Sequence, residues 1–191
     1  MKGAAGRIIA AAEALSVKKT PVLIAVDGRC SAGKTTLAEY LRETAHWSVI
    51  HIDEFFLRPE QRTKERLGTP GGNIDYERFL EEVLIPLKNG STEIAFSAFD
   101  CRTMRLTVPH YVKVGRFCII EGSYSCHPAL RDYYDLRVFL TVNSEEQMLR
   151  ILHRNGKEKA ALFAEKWIPL EEMYFSACET ESICELRFEM K

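Results

Sequence analysis

Val22-Leu23-Ile24-Ala25-Val26-Asp27-Gly28-Arg29-Cys30-Ser31-Ala32-Gly33-Lys34-Thr35-Thr36 is the stretch that decides the fold. Val22 to Val26 is apolar without a break, the pattern of a strand buried on both faces. Gly28 to Thr35 then fits G-x-x-x-x-G-K-[ST]. Glycines at those positions let the backbone curl and turn its N–H groups inward, where they converge on phosphate oxygens. The lysine adds a cation for the β- and γ-phosphates, and the threonine hydroxyl suits Mg²⁺. A helical pattern from Thr35 to His46, carrying Leu37, Ala38 and Leu41, brings the positive end of a helix to the same place. Gly28, Cys30, Ser31, Ala32, Gly33, Lys34, Thr35 and Thr36 are therefore the expected contacts to the phosphates of a bound nucleotide. Cys30 lies inside this loop; a small neutral residue tolerated there is the simpler account, and a thiol whose alkylation blocks the nucleotide is the sharper one.

Working outward, Trp47 to Ile52 reads as a second strand ending at Asp53, and Leu57 to Asn73 as a long polar loop. Tyr76 to Lys88 has apolar residues at helical spacing (Phe79, Leu80, Val83, Leu84, Leu87) and stops at Asn89-Gly90. Glu93 to Val114 holds two short strands around an Asp100 to Arg105 turn. Phe117 to Ile120 and Leu136 to Val142 are further buried strands. Ser144 with Gln147 forms a capping-box pattern for a helix to about His153. Lys157 to Phe175 is helical with Pro169 near a start, and Ile183 to Met190 is a final edge strand. Before all of these, Ile8, Ile9, Ala12 and Leu15 describe one face of an amphipathic helix, which Glu13 distinguishes from a secretion signal. Strands alternating with helices predict an α/β fold: a three-layer P-loop NTPase architecture with a mainly parallel sheet flanked by helices. The 191 residues are expected to form one domain, with a lid near 150–166.

Composition narrows the partners. With 26 basic against 27 acidic residues the net charge is −1, which gives no general attraction to nucleic acid or to an anionic membrane. No apolar run approaches the ~20 residues that span a bilayer. The six cysteines are scattered, with no C-x-x-C pair, so neither a zinc site nor a disulfide framework is expected. A reducing cytoplasm is the simplest compartment; nothing in the sequence fixes an oligomeric state.

Two acids stand at strand ends. Asp53, in His51-Ile52-Asp53-Glu54-Phe55-Phe56, is placed either to accept a proton from an attacking hydroxyl or to hold a magnesium-bound water; the structural alternative is a helix cap. Glu121 closes the strand Phe117 to Ile120 and, with Thr35, is the expected Mg²⁺ pair. His51 is near enough in sequence to approach the same site.

Taken together, Asp27 to Ala38, Asp53-Glu54-Phe55-Phe56, Asn73-Ile74-Asp75-Tyr76 and Glu121-Gly122 resemble the uridine kinase family, whose broader relatives include phosphoribulokinase, nicotinamide riboside kinase and pantothenate kinase. The resemblance runs over roughly residues 20 to 160. It implies ATP-dependent phosphoryl transfer to a hydroxyl, with Asp53 as base on the acceptor and Lys34 on the phosphates. It also implies that Asp75 holds ribose hydroxyls, although capping the Tyr76 helix explains that residue as well. Arg150 and Arg154 share one helix face at i and i+4, and the resemblance makes them a lid over the transferred phosphate, where charge spreads in the transition state. Phe99-Asp100-Cys101-Arg102-Thr103-Met104-Arg105 matches the family's base- and sugar-recognition stretch in its aromatic-Asp pair and in an arginine, making Asp100 and Arg105 substrate candidates. Met104 stands where the family has histidine, which leaves the phosphoryl chemistry intact and weakens uridine as the acceptor. Trp167 to Phe175 has no counterpart; packing and lining of the acceptor pocket are both compatible with it. The rival class is a nucleotide-binding regulator that keeps the loop without efficient transfer.

Overall fold

A computed structural model describes all 191 residues. The chain opens with α1 (Lys2–Ser16), β1 (Val22–Gly28), α2 (Lys34–Ala45) and β2 (Ser48–His51). A short 3₁₀ turn, Ile52–Phe55, follows. Next come α3 (Lys64–Gly68) and α4 (Tyr76–Phe79), which passes through a π-helical turn (Leu80–Leu84) into α5 (Ile85–Lys88). Four short strands, β3 (Glu93–Phe96), β4 (Phe99–Asp100), β5 (Arg105–Leu106) and β6 (His110–Lys113), precede β7 (Phe117–Glu121) and β8 (Leu136–Thr141). The chain closes with α6 (Ser144–Asn155), α7 (Lys157–Leu162), a second π-helical turn (Phe163–Trp167), α8 (Ile168–Ala177) and β9 (Leu186–Glu189).

Five strands form the central sheet in the order β2-β7-β1-β8-β9, all parallel. Every residue of β1 and β7 is buried, as strands covered on both faces must be. Alternate residues serve opposite layers. Val22, Ile24 and Val26 pack with Ile119 and Val138 against Ala5, Ile8 and Ala12 of α1 and Leu37 and Leu41 of α2. Leu23, Ala25, Ile120 and Phe139 face the other way, onto Phe79, Val83 and Leu84 of the 76–88 helix and Tyr174 and Phe175 of α8. This is the expected three-layer P-loop architecture.

Both π turns lie just ahead of a proline at the start of the next helical segment, Pro86 in α5 and Pro169 in α8. Proline lacks an N–H and its ring crowds the carbonyl one turn back, so a locally widened helix lets the chain continue along one axis.

Several expectations are refined. The 57–73 segment is not featureless: it contains a 3₁₀ turn (Pro59–Gln61) and α3, whose cap is the Thr63 side chain accepting from Arg66 N. The cap of α6 is Asn143, whose Oδ1 accepts the Glu146 N–H at 2.9 Å, rather than Ser144, which is already helical. Four strands rather than two occupy 93–114, because the chain folds back twice: β3 pairs with β6, and β4 with β5 inside them. Leu15 of α1 is exposed, since Ala4, Ala5, Ile8 and Ala12 set the buried face. No helix is long and apolar enough to cross a membrane.

Candidate active site

The parallel sheet directs Gly28, His51, Glu121 and Thr141, the last residues of four strands, toward one edge, which is where open α/β sheets bind ligands. A cleft of about 1270 Å³ opens there. Its floor is the loop that links β1 to α2. Gly28 has φ +133°, and a Cβ on it would stand 1.9 Å from the Leu140 carbonyl oxygen, so the loop starts in a conformation and a space that only glycine fits. Gly33, at φ +93°, is the N-cap of α2. The first N–H groups of α2 have no partner within the helix and face an incoming anion. Cys30, Ser31, Ala32, Gly33, Lys34, Thr35 and Thr36 all line the cleft, whereas Gly28 lies beneath it.

Lys34 is nearly buried. Its ammonium donates to Gly28 O at 2.6 Å, Arg29 O at 3.0 Å and Ser123 Oγ at 3.3 Å, so the cation is held over the loop. Thr35 Oγ1 donates to Glu121 Oε1 at 3.1 Å, and His51 Nδ1 lies 2.6 Å from the same oxygen. That hydrogen bond to Glu121 holds the His51 pKa above its ordinary value against the opposing effect of burial. Hydroxyl and carboxylate are the hard oxygen donors Mg²⁺ takes, and the buried Ser31 Oγ in the adjoining loop has no protein partner. The residues present thus fit a magnesium nucleotide: Thr35 and Glu121 for the metal, the loop and Lys34 for phosphates.

Asp53 follows β2 and opens onto the cleft. Enclosure by surrounding protein pushes its pKa up to about 6; the Lys34 charge opposes this, and Glu121 adds to it. Gly122, at φ +133°, makes room for it: a Cβ there would lie 2.7 Å from Ile52 Cγ2 and 3.0 Å from Asp53 Oδ1.

Three residues that hold this site together were given no role of their own by the sequence reading. Asp27 is fully buried at the end of β1 and accepts four hydrogen bonds, from Gly28 N (2.7 Å), Tyr124 N (3.2 Å), Cys126 N (2.8 Å) and Tyr174 OH (2.8 Å). Its burial still raises its pKa, against those bonds and the Lys34 charge. Ser123 Oγ contacts Lys34 and donates to Glu171 Oε1 at 2.5 Å. Glu171, on α8, also accepts the Cys30 N–H at 3.0 Å, and the neighbouring Glu172 pairs with Arg29. Thus Trp167 to Phe175 braces the phosphate loop through Glu171, Glu172 and Tyr174, while Trp167, Leu170 and Met173 line the cleft. Burial and the Glu171 carboxylate push the Cys30 thiol up to about 12, so it is held as the unreactive thiol.

The remaining candidates divide. Arg150 and Arg154 both line the cleft; Arg150 donates to Ser31 O at 3.3 Å and to Glu146 at 2.7 Å, and Arg154 reaches only Asn155. Asp75 lies outside the cleft. It is buried, caps α4 by accepting Arg78 N at 3.2 Å, and its Oδ2 faces Arg58 and Arg78 at 3.6 and 3.7 Å. Asp100 is spent on its own turn, accepting from Arg102 N and Thr103 Oγ1, and Arg105 is exposed on β5; Cys101 and Met104 of that turn face the cleft instead.

Sheet order, flanking helices and phosphate loop together define a three-layer P-loop NTPase fold. In sequence the chain resembles the uridine kinase of Alkaliphilus metalliredigens, 23% identical over an alignment of 148 positions that covers 73% of this chain and 70% of that protein. In structure it matches a possible uridine kinase from Bacillus stearothermophilus, with TM-score 0.65 and 17% identity over 95% of this chain and 99% of that one. It also matches D-glycerate 3-kinase from Cryptococcus neoformans, with TM-score 0.70 and 15% identity over 98% and 94% of the two chains. No protein-family model matches the chain.

Proposed function

We propose that this protein is an ATP- and Mg²⁺-dependent kinase that phosphorylates a hydroxyl of a small molecule. The observation that carries this reading is the position of Asp53: its carboxylate opens onto the same cleft as Lys34, Thr35, Glu121 and the loop residues. A base poised near neutral pH accepts a hydroxyl proton without being neutralised by its surroundings. A magnesium nucleotide, when bound, supplies the phosphoryl group. The chain's own residues do the rest. Lys34 and the loop amides hold phosphate oxygens, Thr35 and Glu121 hold the metal, and Asp53 orients the acceptor hydroxyl and takes its proton. Arg150 and Arg154, which line the same cleft, close over the transferred group as a lid. Positioning and charge stabilisation supply most of the catalysis in such a site.

The resemblance to uridine kinases favours a nucleoside acceptor. Of the alternatives, another ribosyl compound or a pantothenate-like alcohol, the latter is favoured by the placement of Asp75, Asp100 and Arg105 away from the cleft.

The test is ADP formation from ATP and Mg²⁺ in the presence of nucleosides, sugars, polyols and hydroxy acids. Acceptor-dependent ADP release is the expected result. Tight ATP binding with no acceptor-dependent turnover across the panel would instead indicate a nucleotide-binding regulator.

A further inference from the structure

Four arginines punctuate the segment from 58 to 78, and three of them have acidic partners. Arg58 faces Glu60 and Asp75, Arg66 pairs with Glu77 at 2.6 Å, and Arg78 pairs with Glu82 at 3.1 Å. Arg62 has none. Its Nε donates to the Leu57 carbonyl at 2.9 Å and its guanidinium lies 5.4 Å from the centre of the Phe99 ring, which together hold the head group in place. From there it lines the same cleft as Asp53, together with Phe56, Leu57, Leu67, Met104 and Tyr124.

Phe56, Leu57, Leu67 and Met104 give the cleft apolar lining, and its cations besides Arg62 are Lys34, Arg150, Arg154, Lys166 and Lys191. Lys34 is committed to the phosphate loop, and Arg150 is tied to Ser31 O and Glu146 on the nucleotide side. A guanidinium fixed by its backbone contact, with both terminal amino groups free of any carboxylate, offers the two parallel donors that a carboxylate or phosphate accepts. The groups suited to an uncharged ribose and base are meanwhile engaged elsewhere: Asp75 as a buried cap and Asp100 within its own turn.

We infer that the acceptor is an anionic alcohol: a molecule with an apolar body, a hydroxyl presented to Asp53, and a carboxylate or phosphate held by Arg62. This rests on the kinase reading and narrows it. In the transfer, the acceptor oxygen forms a bond to the γ-phosphorus as the bond to the β,γ-bridging oxygen breaks. The hydroxyl proton passes to Asp53, and ADP leaves with the electron pair of the broken bond. Arg62 touches only the far end of the acceptor, so it sets which molecule is bound rather than how fast the phosphoryl group moves.

Acceptors in matched pairs test this: pantothenate against pantothenyl alcohol, glycerate against glycerol, and a sugar phosphate against its free sugar, with uridine alongside. Acceptor-dependent ADP formation is measured for wild type, Arg62→Met and Arg62→Lys. The anionic member of at least one pair is expected to win, and which pair responds separates carboxylate from phosphate. Arg62→Met should raise KM for that acceptor by about 10- to 100-fold, the worth of a charge-assisted hydrogen bond, with KM for ATP unchanged. Arg62→Lys should recover part of the loss, and equal melting temperatures would exclude misfolding. Faster turnover of the neutral members or of uridine, or an unchanged acceptor KM in Arg62→Met, would overturn the inference while leaving the kinase intact. Absence of turnover with every acceptor, with ATP still bound, would overturn the kinase reading and the inference with it.

Discussion

The two halves of the cleft are built by different means. The nucleotide half is wired into the core: buried Asp27 collects three backbone amides and the Tyr174 hydroxyl, Lys34 is pinned by two carbonyls, and Glu171 holds both a loop amide and Ser123. The acceptor half is assembled from a loop with one short helix and from the turn between β4 and β5, where residues 101–109 are all exposed. A phosphate chain is the same in every nucleotide and rewards donors fixed in advance. An acceptor differs from enzyme to enzyme, and surface loops change at little expense to the fold. Rigidity marks the part of the chemistry that is shared, and exposed apolar surface the part that is particular to this protein.

If that contrast holds, substitutions on the nucleotide side should be the most damaging. Gly28→Ala forces a Cβ into the Leu140 carbonyl at a φ that L-residues avoid, and is expected to destabilise the fold by about 3–5 kcal/mol in chemical denaturation. Lys34→Met removes the cation while keeping the stem, and should lower kcat/KM by about 10³-fold, measured by ADP formation. Glu171→Gln sharpens the comparison. Its carboxylate holds the Cys30 N–H and the Ser123 hydroxyl in place, so the neutral amide should bind ATP about tenfold more weakly, a change of roughly 1.4 kcal/mol. Trp167, four residues earlier and facing the cleft, gives a fluorescence signal for that titration. At the small end, Met104→Ala in the exposed turn should change stability by no more than about 0.5 kcal/mol and act on acceptor KM alone. A large loss of stability there would break the contrast.

How much of this was legible in the sequence follows the same division. The loop, β1, Asp53 and Glu121 were readable because each is specified by neighbours in the chain: a buried run, glycines at fixed offsets, an acid at a strand end. The bracing was not. Glu171 lies more than a hundred residues from Cys30, and no local pattern distinguishes a glutamate on a helix that faces a loop from one that faces water. Asp27 was visible only as part of a family match, since its four donors come from three separate segments. Asp75 illustrates the reverse: an acid before a helix is equally suited to cap it or to reach a ligand, and here the cap is made. Arg62 was one arginine among four until the partners of the other three were known.

Everything in the account turns on Asp53 acting as the base, and the most direct measurement compares wild type with Asp53→Asn at several pH values once an acceptor is in hand. The side chain must be ionised to accept a proton, and its pKa in the free protein is raised to about 6. Wild-type kcat/KM should therefore be level above pH ~7 and fall about tenfold per unit well below 6. Asp53→Asn should lose about 10²- to 10⁴-fold in kcat, lack that acid limb, and bind ATP as wild type does. Undiminished turnover in Asp53→Asn, with the acid limb still present, would contradict the account.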